Sequence, residues 1–149
     1  MREHLNHHLH ENDRRPTLVL VADDNVEDRI YLSHVLTRQG ASVRTAGDGA
    51  EAVRMAEQTA FDLVLMDVSM PEVDGFAAVR QIREIERVAG HPPAFIQMTT
   101  AFGEMEDIAW SAEAGADGHL VKPIAVRTVL WALEEARIRR LDSRSLATG

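Results

Sequence analysis

The chain has 149 residues, no cysteine, a 5% aromatic content and a deficit of positive charge. Without cysteine there are no disulfide scaffolds, thiol nucleophiles or thiolate zinc sites. Long apolar runs are also missing. The longest, such as Leu18–Ala22, fall far short of the ~20 residues that span a bilayer. The opening residues, MREHLNHHLH, lack the apolar stretch of a secretory signal. Against 24 acidic side chains stand 16 basic ones, a net charge of −8. That balance argues against non-specific binding to nucleic acid or anionic membrane, both of which need a basic surface. The expectation is a soluble, cytoplasmic, single-domain protein, long enough to bury roughly two-thirds of the surface of its unfolded chain.

Lysine is nearly absent too. Of the 16 basic residues only Lys122 is lysine. An ammonium is a compact, strongly hydrated point charge, whereas a guanidinium is a planar fork, so a lone lysine marks a place where that difference counts. Drift that left one lysine behind is the competing reading, and the count does not separate the two.

Residues 1–16 carry four of the seven histidines, His4, His7, His8 and His10, among polar neighbours with no hydrophobic period. They read as a flexible tail; loose metal capture by His7, His8 and His10 is the weaker alternative. Residues 142–149 read as a short polar tail. Between them, residues 17–141 alternate short β-rich runs with helical ones. The strands are expected at 17–22 (TLVLVA), 42–46, 62–66 (DLVLM), 95–99 and 118–121. The first and third are almost continuously apolar, as befits strands covered on both faces of a parallel sheet. In the helical stretches apolar residues recur at i, i+3 and i+4: Leu32, Val35 and Leu36; Ala78, Ile82 and Ile85; Val126, Val129, Leu130 and Leu133. Gly40, Gly90 and Gly115 fall where helix C-caps belong. The pattern predicts an α/β fold with a doubly wound five-stranded parallel sheet. In such folds ligands bind beyond the carboxyl ends of the strands.

Polar groups gather at those ends. Asp23 and Asp24 follow the first strand and Asp67 the third. Thr99, Thr100 and Ala101 follow the fourth, and Lys122 and Pro123 the fifth. Converging carboxylates repel, and an oxygen-only cluster suits a hard cation such as Mg²⁺, with Mn²⁺ as a substitute. Such an ion keeps coordination positions for phosphate oxygens, and a lysine ammonium and a threonine hydroxyl are donors for the rest. The constellation suits phosphoryl transfer to a carboxylate nucleophile, for which Asp67 is the candidate. Taken singly, each residue has a plainer reading. Asp23, Asp24 or Asn25 could cap the first helix, Asp67 could be a turn acid before Pro71, and Thr99 or Thr100 an ordinary strand residue.

The stretches LVADDN, DLVLMDVSMPEVDG, TTAFGE and EAGADGHLVKPI, in this order and spacing, make residues 17–141 resemble the receiver domain of two-component response regulators. The resemblance implies a (βα)5, flavodoxin-like fold and transfer of a phosphoryl group to Asp67 from a histidine kinase or phosphotransfer protein. It implies Mg²⁺ bound by Asp24, Asp67 and the main-chain carbonyl of Ser69, with Asp23 acting through a water. Lys122 would pair with the phosphoryl group, and the Lys122–Pro123 bond would be cis. Matching the TAFG tetrad selects Thr100 as the switch hydroxyl, although strand periodicity also tolerates Thr99. His119 departs from the pattern, since similar domains carry Tyr or Phe three residues before the lysine; it is either a working switch or a half-exposed strand histidine. Ala101 is the usual small neighbour, and Ser69 and Phe102 sit where hydrolysis rate is tuned. The connection at 87–94 is slightly long.

Trp110 and Trp131 fall in the fourth and fifth helices, the face that binds partners in similar domains, although a core-facing or half-buried role is the more frequent one for tryptophan. Arg137, Arg139, Arg140 and Arg144 read as a solvated helix end complementing its dipole. The expected function is a phospho-accepting switch that presents a protein-interaction surface on its fourth and fifth βα units, with no nucleic acid bound directly. A phosphorylation-dependent homodimer is an option. Only about eight residues follow the last expected helix, so the chain reads as a stand-alone receiver or as a piece of a longer regulator or hybrid kinase. A phosphorylation-independent scaffold would have lost part of the Asp23, Asp24, Asp67, Thr100 and Lys122 set. An aspartyl phosphatase would carry a second aspartate where Ser69 stands. A flavodoxin-type cofactor protein would need a phosphate-binding loop after the first strand.

Overall fold

The computed structural model describes residues 15–101 and 106–148, and the side chains of 106–108 and 144–148 lie outside the description. His4, His7, His8, His10 and Phe102 fall outside the described residues. Within them strands and helices alternate: β1 (Leu18–Ala22), α1 (Val26–Arg38), β2 (Ser42–Ala46), α2 (Gly49–Gln58), β3 (Leu63–Asp67), α3 (Gly75–Ala89), β4 (Phe95–Thr100), α4 (Glu106–Ala114), β5 (Gly118–Val121) and α5 (Val126–Thr148). The five strands form one parallel sheet in the order β2-β1-β3-β4-β5. From β1 the chain steps outward to β2, then returns to place β3 on the other side of β1. The reversal opens a crevice at the carboxyl ends of β1 and β3.

The period of two along each strand divides the core. Leu20, Ala22, Val64, Met66, Ile96 and Met98 point to one face, where Ala52, Val53, Phe76, Val79 and Ile82 of α2 and α3 cover them. Val19, Val21, Leu63, Leu65 and Phe95 point to the other, under Leu32 and Leu36 of α1 and Val129, Ala132, Leu133 and Ala136 of α5. Because β1 and β3 are covered on both sides, their residues up to Asp67 are apolar without alternation, whereas the equally buried β4 carries Gln97, Thr99 and Thr100 among its apolar residues. At the edge, β2 is mostly exposed and its sequence, SVRTA, is mixed.

Three helices begin on side-chain caps. Asn25, Asp48 and Asp74 accept from the backbone N–H of Asp28, Glu51 and Ala77 respectively. Gly40, Gly90 and Gly115 all take positive φ (86°, 70° and 108°), the left-handed conformation that ends a helix most cheaply at glycine.

The last helix differs from expectation in two respects. Its buried stripe is Val129, Ala132, Leu133 and Ala136, whereas Val126 is 48% exposed, since it opens the helix above the edge of the sheet. The helix also continues to Thr148, past the expected end at Leu141. Arg137, Arg139 and Arg140 therefore lie well inside it. They clamp neighbouring elements instead of capping a terminus: Arg137 donates to Thr17 Oγ1 and the Gln39 carbonyl, Arg139 pairs with Asp117 and Glu135, and Arg140 pairs with Asp62. The Arg144 side chain lies outside the described residues.

Candidate functional site

The carboxyl ends of β1 and β3 lie side by side, with Ala22 opposite Met66 in the register. Asp23 and Asp24 leave β1 there, and Asp67 ends β3. Carboxylate oxygens of the three approach to within 4.8 Å of one another. Asp23 is 1% and Asp67 6% exposed, whereas Asp24 is exposed. The capping reading is resolved by α1, whose cap is Asn25. Asp23 and Asp24 are left free of that duty, and Asp23 Oδ1 instead accepts from the Asn25 N–H at 2.9 Å.

Lys122, the residue after β5, reaches into this cluster. Its backbone N–H donates to the Thr100 carbonyl at 2.8 Å, and the Lys122–Pro123 peptide is cis. Its Nζ lies 2.8 Å from Asp23 Oδ2, 3.2 Å from Asp28 Oδ2 and 3.5 Å from Asp67 Oδ2. One ammonium is thus shared by three carboxylates, and Asp24 adds a fourth to the same group. Burial, followed by the charge of Asp23, pushes the Asp67 carboxyl up to about 7, against the opposing pull of Lys122 and the Ser69 N–H. Burial works against the Lys122 ammonium, but the hydrogen bond to Asp23 and the charges of Asp67 and Asp23 outweigh it and hold its pKa above the ordinary lysine value.

The β3–α3 loop is held by backbone contacts. The Val68 N–H donates to the Thr99 carbonyl, and the Gly75 N–H to the Val68 carbonyl, each at 3.0 Å. A side chain on Gly75 would collide with the Asp67 carbonyl oxygen, so only glycine lets α3 start this close to the acceptor strand. Glu72 in the same loop holds φ at 65°, a costly conformation for a residue with a side chain. Ser69 is exposed, and its N–H donates to Asp67 Oδ1 at 3.3 Å.

Thr100 ends β4, one strand over from Asp67; it is 2% exposed and its hydroxyl donates to the Ala101 carbonyl at 3.2 Å. Thr99, directly opposite Asp67, points to the other face of the sheet from Thr100. Its buried hydroxyl finds no hydrogen-bond partner among the described residues. His119 stands opposite Met98 on β5, half-buried and on the face covered by α3, away from the carboxylates. The structure thus brings together Asp23, Asp24, Asp67 and Lys122, sets Thr100 at the rim and leaves His119 apart. Trp110 and Trp131 are 56% and 50% exposed, each anchored edge-on to a phenylalanine, Phe76 and Phe95, at 5.7 Å between centroids.

Three residues of α1 that sequence reasoning passed over complete the surroundings. Asp28 pairs with Lys122, the Arg29 guanidinium donates to the Asp23 carbonyl, and the Tyr31 hydroxyl donates to the Ile124 carbonyl at 2.7 Å. Only their place in the first turns of the helix after the acidic pair could have signalled them. Asp28, Tyr31, Leu32, Lys122, Pro123 and Ile124 line a cavity of about 290 Å³ next to the cluster. The donor set, all oxygen and partly buried around an open side, fits a hard divalent cation. No helix among the described residues is long and apolar enough to cross a membrane.

Comparison with known proteins agrees with this geometry. The response regulator receiver domain profile matches residues 19–134. The chain is 38% identical over 122 residues to the transcriptional regulatory protein PdtaR of Mycobacterium tuberculosis, covering 81% of this chain and 57% of that protein. It therefore spans little more than half the length of that relative. The Vibrio cholerae chemotaxis protein CheY4 superposes with a TM-score of 0.73 at 34% identity, over 82% of this chain and 99% of that one. A co-crystal structure of the Saccharomyces cerevisiae histidine phosphotransfer signalling protein Ypd1 with the receiver domain of its downstream response regulator Ssk1 matches with a TM-score of 0.73 at 26% identity, over 81% of this chain and 92% of that one. A five-stranded parallel sheet that collects three aspartates and its only lysine at one end, matched over most of its length by a single family, makes the chain a member of the response regulator receiver domain family.

Proposed function

We propose that Asp67 accepts a phosphoryl group from a phosphohistidine on a histidine kinase or phosphotransfer protein, and that the modified domain switches a protein-binding surface. The observation that carries this reading is the Asp67 carboxylate itself. It sits at the end of a buried strand, under-compensated by the one ammonium beside it, next to two more carboxylates and an open side. In the transfer a carboxylate oxygen of Asp67 attacks phosphorus and forms the new P–O bond. The P–N bond to the donor imidazole breaks, and the imidazole leaves with its electron pair and takes a proton from solvent.

Asp24, Asp67 and the Ser69 carbonyl would hold a divalent cation, Mg²⁺ or Mn²⁺, with Asp23 acting through water. When bound, the cation supplies positive charge that favours ionised Asp67 and offsets the charge of the entering phosphoryl oxygens. Lys122 and the Thr100 hydroxyl donate to oxygens of the product. Binding those oxygens draws Thr100 toward Asp67 and biases a rearrangement of the fourth and fifth βα units. The exposed Trp110, Val121, Val126 and Trp131 lie on those units and are the surface offered to a downstream protein or to a second copy of the chain. His119 takes the place of the aromatic residue usual in the family. If it follows Thr100, its ring resonances shift on phosphorylation, and unchanged resonances would remove it from the switch.

The experiment is intact mass after incubation with a small-molecule phosphodonor, with and without Mg²⁺, on the wild type and Asp67→Asn. The expected result is a gain of one phosphoryl group that requires Mg²⁺ and is absent from the variant. No gain in the wild type would replace this reading with a phosphorylation-independent scaffold.

A further inference from the structure

The Lys122 ammonium has three N–H donors, and three carboxylates lie around it: Asp23 at 2.8 Å, Asp28 at 3.2 Å and Asp67 at 3.5 Å. Asp28 Oδ2 accepts a hydrogen bond from the ammonium, and a phosphoryl oxygen that draws Lys122 toward itself competes with these carboxylates for it. Asp23 is a poor candidate for release. Its side chain is 1% exposed, and losing its cation would leave a buried charge uncompensated. Asp67 carries the phosphoryl group and stays in place. Asp28 differs from both. Its side chain is 42% exposed, on the first turn of α1 at the rim of the 290 Å³ cavity, where water can take over its hydrogen bonds.

We propose that Asp28 is a positioning residue, holding one donor of Lys122 as a placeholder until a phosphoryl oxygen displaces it. The proposal rests on the phosphoacceptor reading of Asp67. Asp28 thereby sets how readily Lys122 turns to the product: its pull opposes both formation and persistence of the acyl phosphate. The exchange involves no covalent step. The ammonium gives up a hydrogen bond to Asp28, water replaces it there, and the freed N–H donates to the phosphoryl oxygen.

The test compares Asp28→Asn with Glu27→Gln. Both remove one negative charge from the first turn of α1, but Glu27 is exposed and not among the three carboxylates around Lys122. Phosphorylation by a small-molecule donor and subsequent hydrolysis are followed by intact mass. Asp28→Asn is expected to accelerate formation and slow loss by about two- to five-fold each, the factor corresponding to a partly exposed ion pair. Glu27→Gln stays near the wild type, and Asp28→Glu, which keeps the charge, restores wild-type behaviour. Because Lys122 is the only lysine, lysine labelled with ¹³C gives a single ε-methylene signal without assignment. That signal is expected to move on Asp28→Asn, but not on Glu27→Gln, before any phosphodonor is added. Unchanged rates in Asp28→Asn, or equal changes in both variants, would overturn the placeholder role alone. An unmoved lysine signal would overturn the pairing beneath it. A wild type that gains no mass would overturn the phosphoacceptor reading, and the placeholder role with it.

Discussion

Asp62 and Asp67 stand at opposite ends of the same strand, and their surroundings could hardly differ more. Asp62, just before β3, accepts from the Leu18 N–H at 2.8 Å and from Arg140 Nη1 at 2.9 Å, with Arg15 Nη2 at 3.5 Å. One carboxylate there meets two guanidiniums and a backbone donor. Asp67 meets the Ser69 N–H at 3.3 Å and one ammonium that it shares with Asp23 and Asp28. The amino end of the sheet spends its charge on joining β1, β3 and α5. Among the described residues, the carboxyl end keeps an excess of negative charge. The contrast teaches where the chemistry lies: a carboxylate saturated with partners is structural, whereas one left short of them is open to a cation or an electrophile.

Substituting each aspartate breaks the comparison in opposite directions. Asp62→Asn removes the carboxylate that pairs with the Arg140 guanidinium, whose side chain is 10% exposed. Removing one partner of a buried pair costs about 3 kcal/mol, so the thermal midpoint falls by roughly 6–12 °C. Acceptance of a phosphoryl group at the far end is expected to survive. An unchanged midpoint would show that the amino-end cluster is a solvated surface pair.

Asp67→Asn is expected to stabilise the cation-free protein. In the folded chain Asp67 titrates near 7 instead of 3.8. Between those values the native state holds a proton that the unfolded chain has released, so wild-type stability falls as pH rises through the window. Asparagine carries no such dependence. The gap between variant and wild type therefore widens from about pH 4 to pH 7 and stays level above it. Solvent on the open side screens the effect, which leaves an advantage of roughly 2 kcal/mol at pH 8. Mg²⁺ at pH 8 narrows the gap by binding the wild type more tightly. Urea unfolding of both proteins at pH 4.5 and pH 8 measures it, and a gap independent of pH would show that Asp67 is not the group that titrates.

What the sequence made legible follows the same division. Apolar runs such as LVLVA and DLVLM locate buried strands because both faces of a parallel strand must be covered, and the strand ends then locate Asp23, Asp67, Thr100 and Lys122 within a residue. The cluster was readable because parallel strands all finish on one side. The interactions of Asp28, Arg29 and Tyr31 were not readable, since they depend on how α1 is turned against the β5–α5 loop, which no local period encodes. The role of Asn25 was undecided for a related reason. Three consecutive polar residues can each cap a helix, and only the backbone angle at the entry to α1 selects one. The arginines of α5 were misjudged because the four residues after Leu141 (DSRS) are all polar. Helix continuation there leaves no apolar stripe to read.

The adjacent threonines at the end of β4 give the finest version of the comparison. Strand geometry turns their side chains to opposite faces of the sheet. The Thr100 hydroxyl donates to the Ala101 carbonyl, while the Thr99 hydroxyl lies buried without a partner among the described residues. Valine has the same shape as threonine and lacks the hydroxyl. At position 99 the substitution removes a buried polar group that gains nothing in the fold, so Thr99→Val is expected to be neutral or stabilising by up to about 1 kcal/mol, with no change in phosphoryl lifetime. At position 100 it removes a hydroxyl already in use, so Thr100→Val loses up to about 1 kcal/mol. It also leaves phosphorylation of Asp67 intact while uncoupling it from the fourth and fifth βα units. Unfolding midpoints check the first difference. Amide chemical-shift changes across β4, α4 and β5 on phosphorylation check the second. Equal responses from the two variants would mean that the face a threonine occupies does not decide its part in the switch.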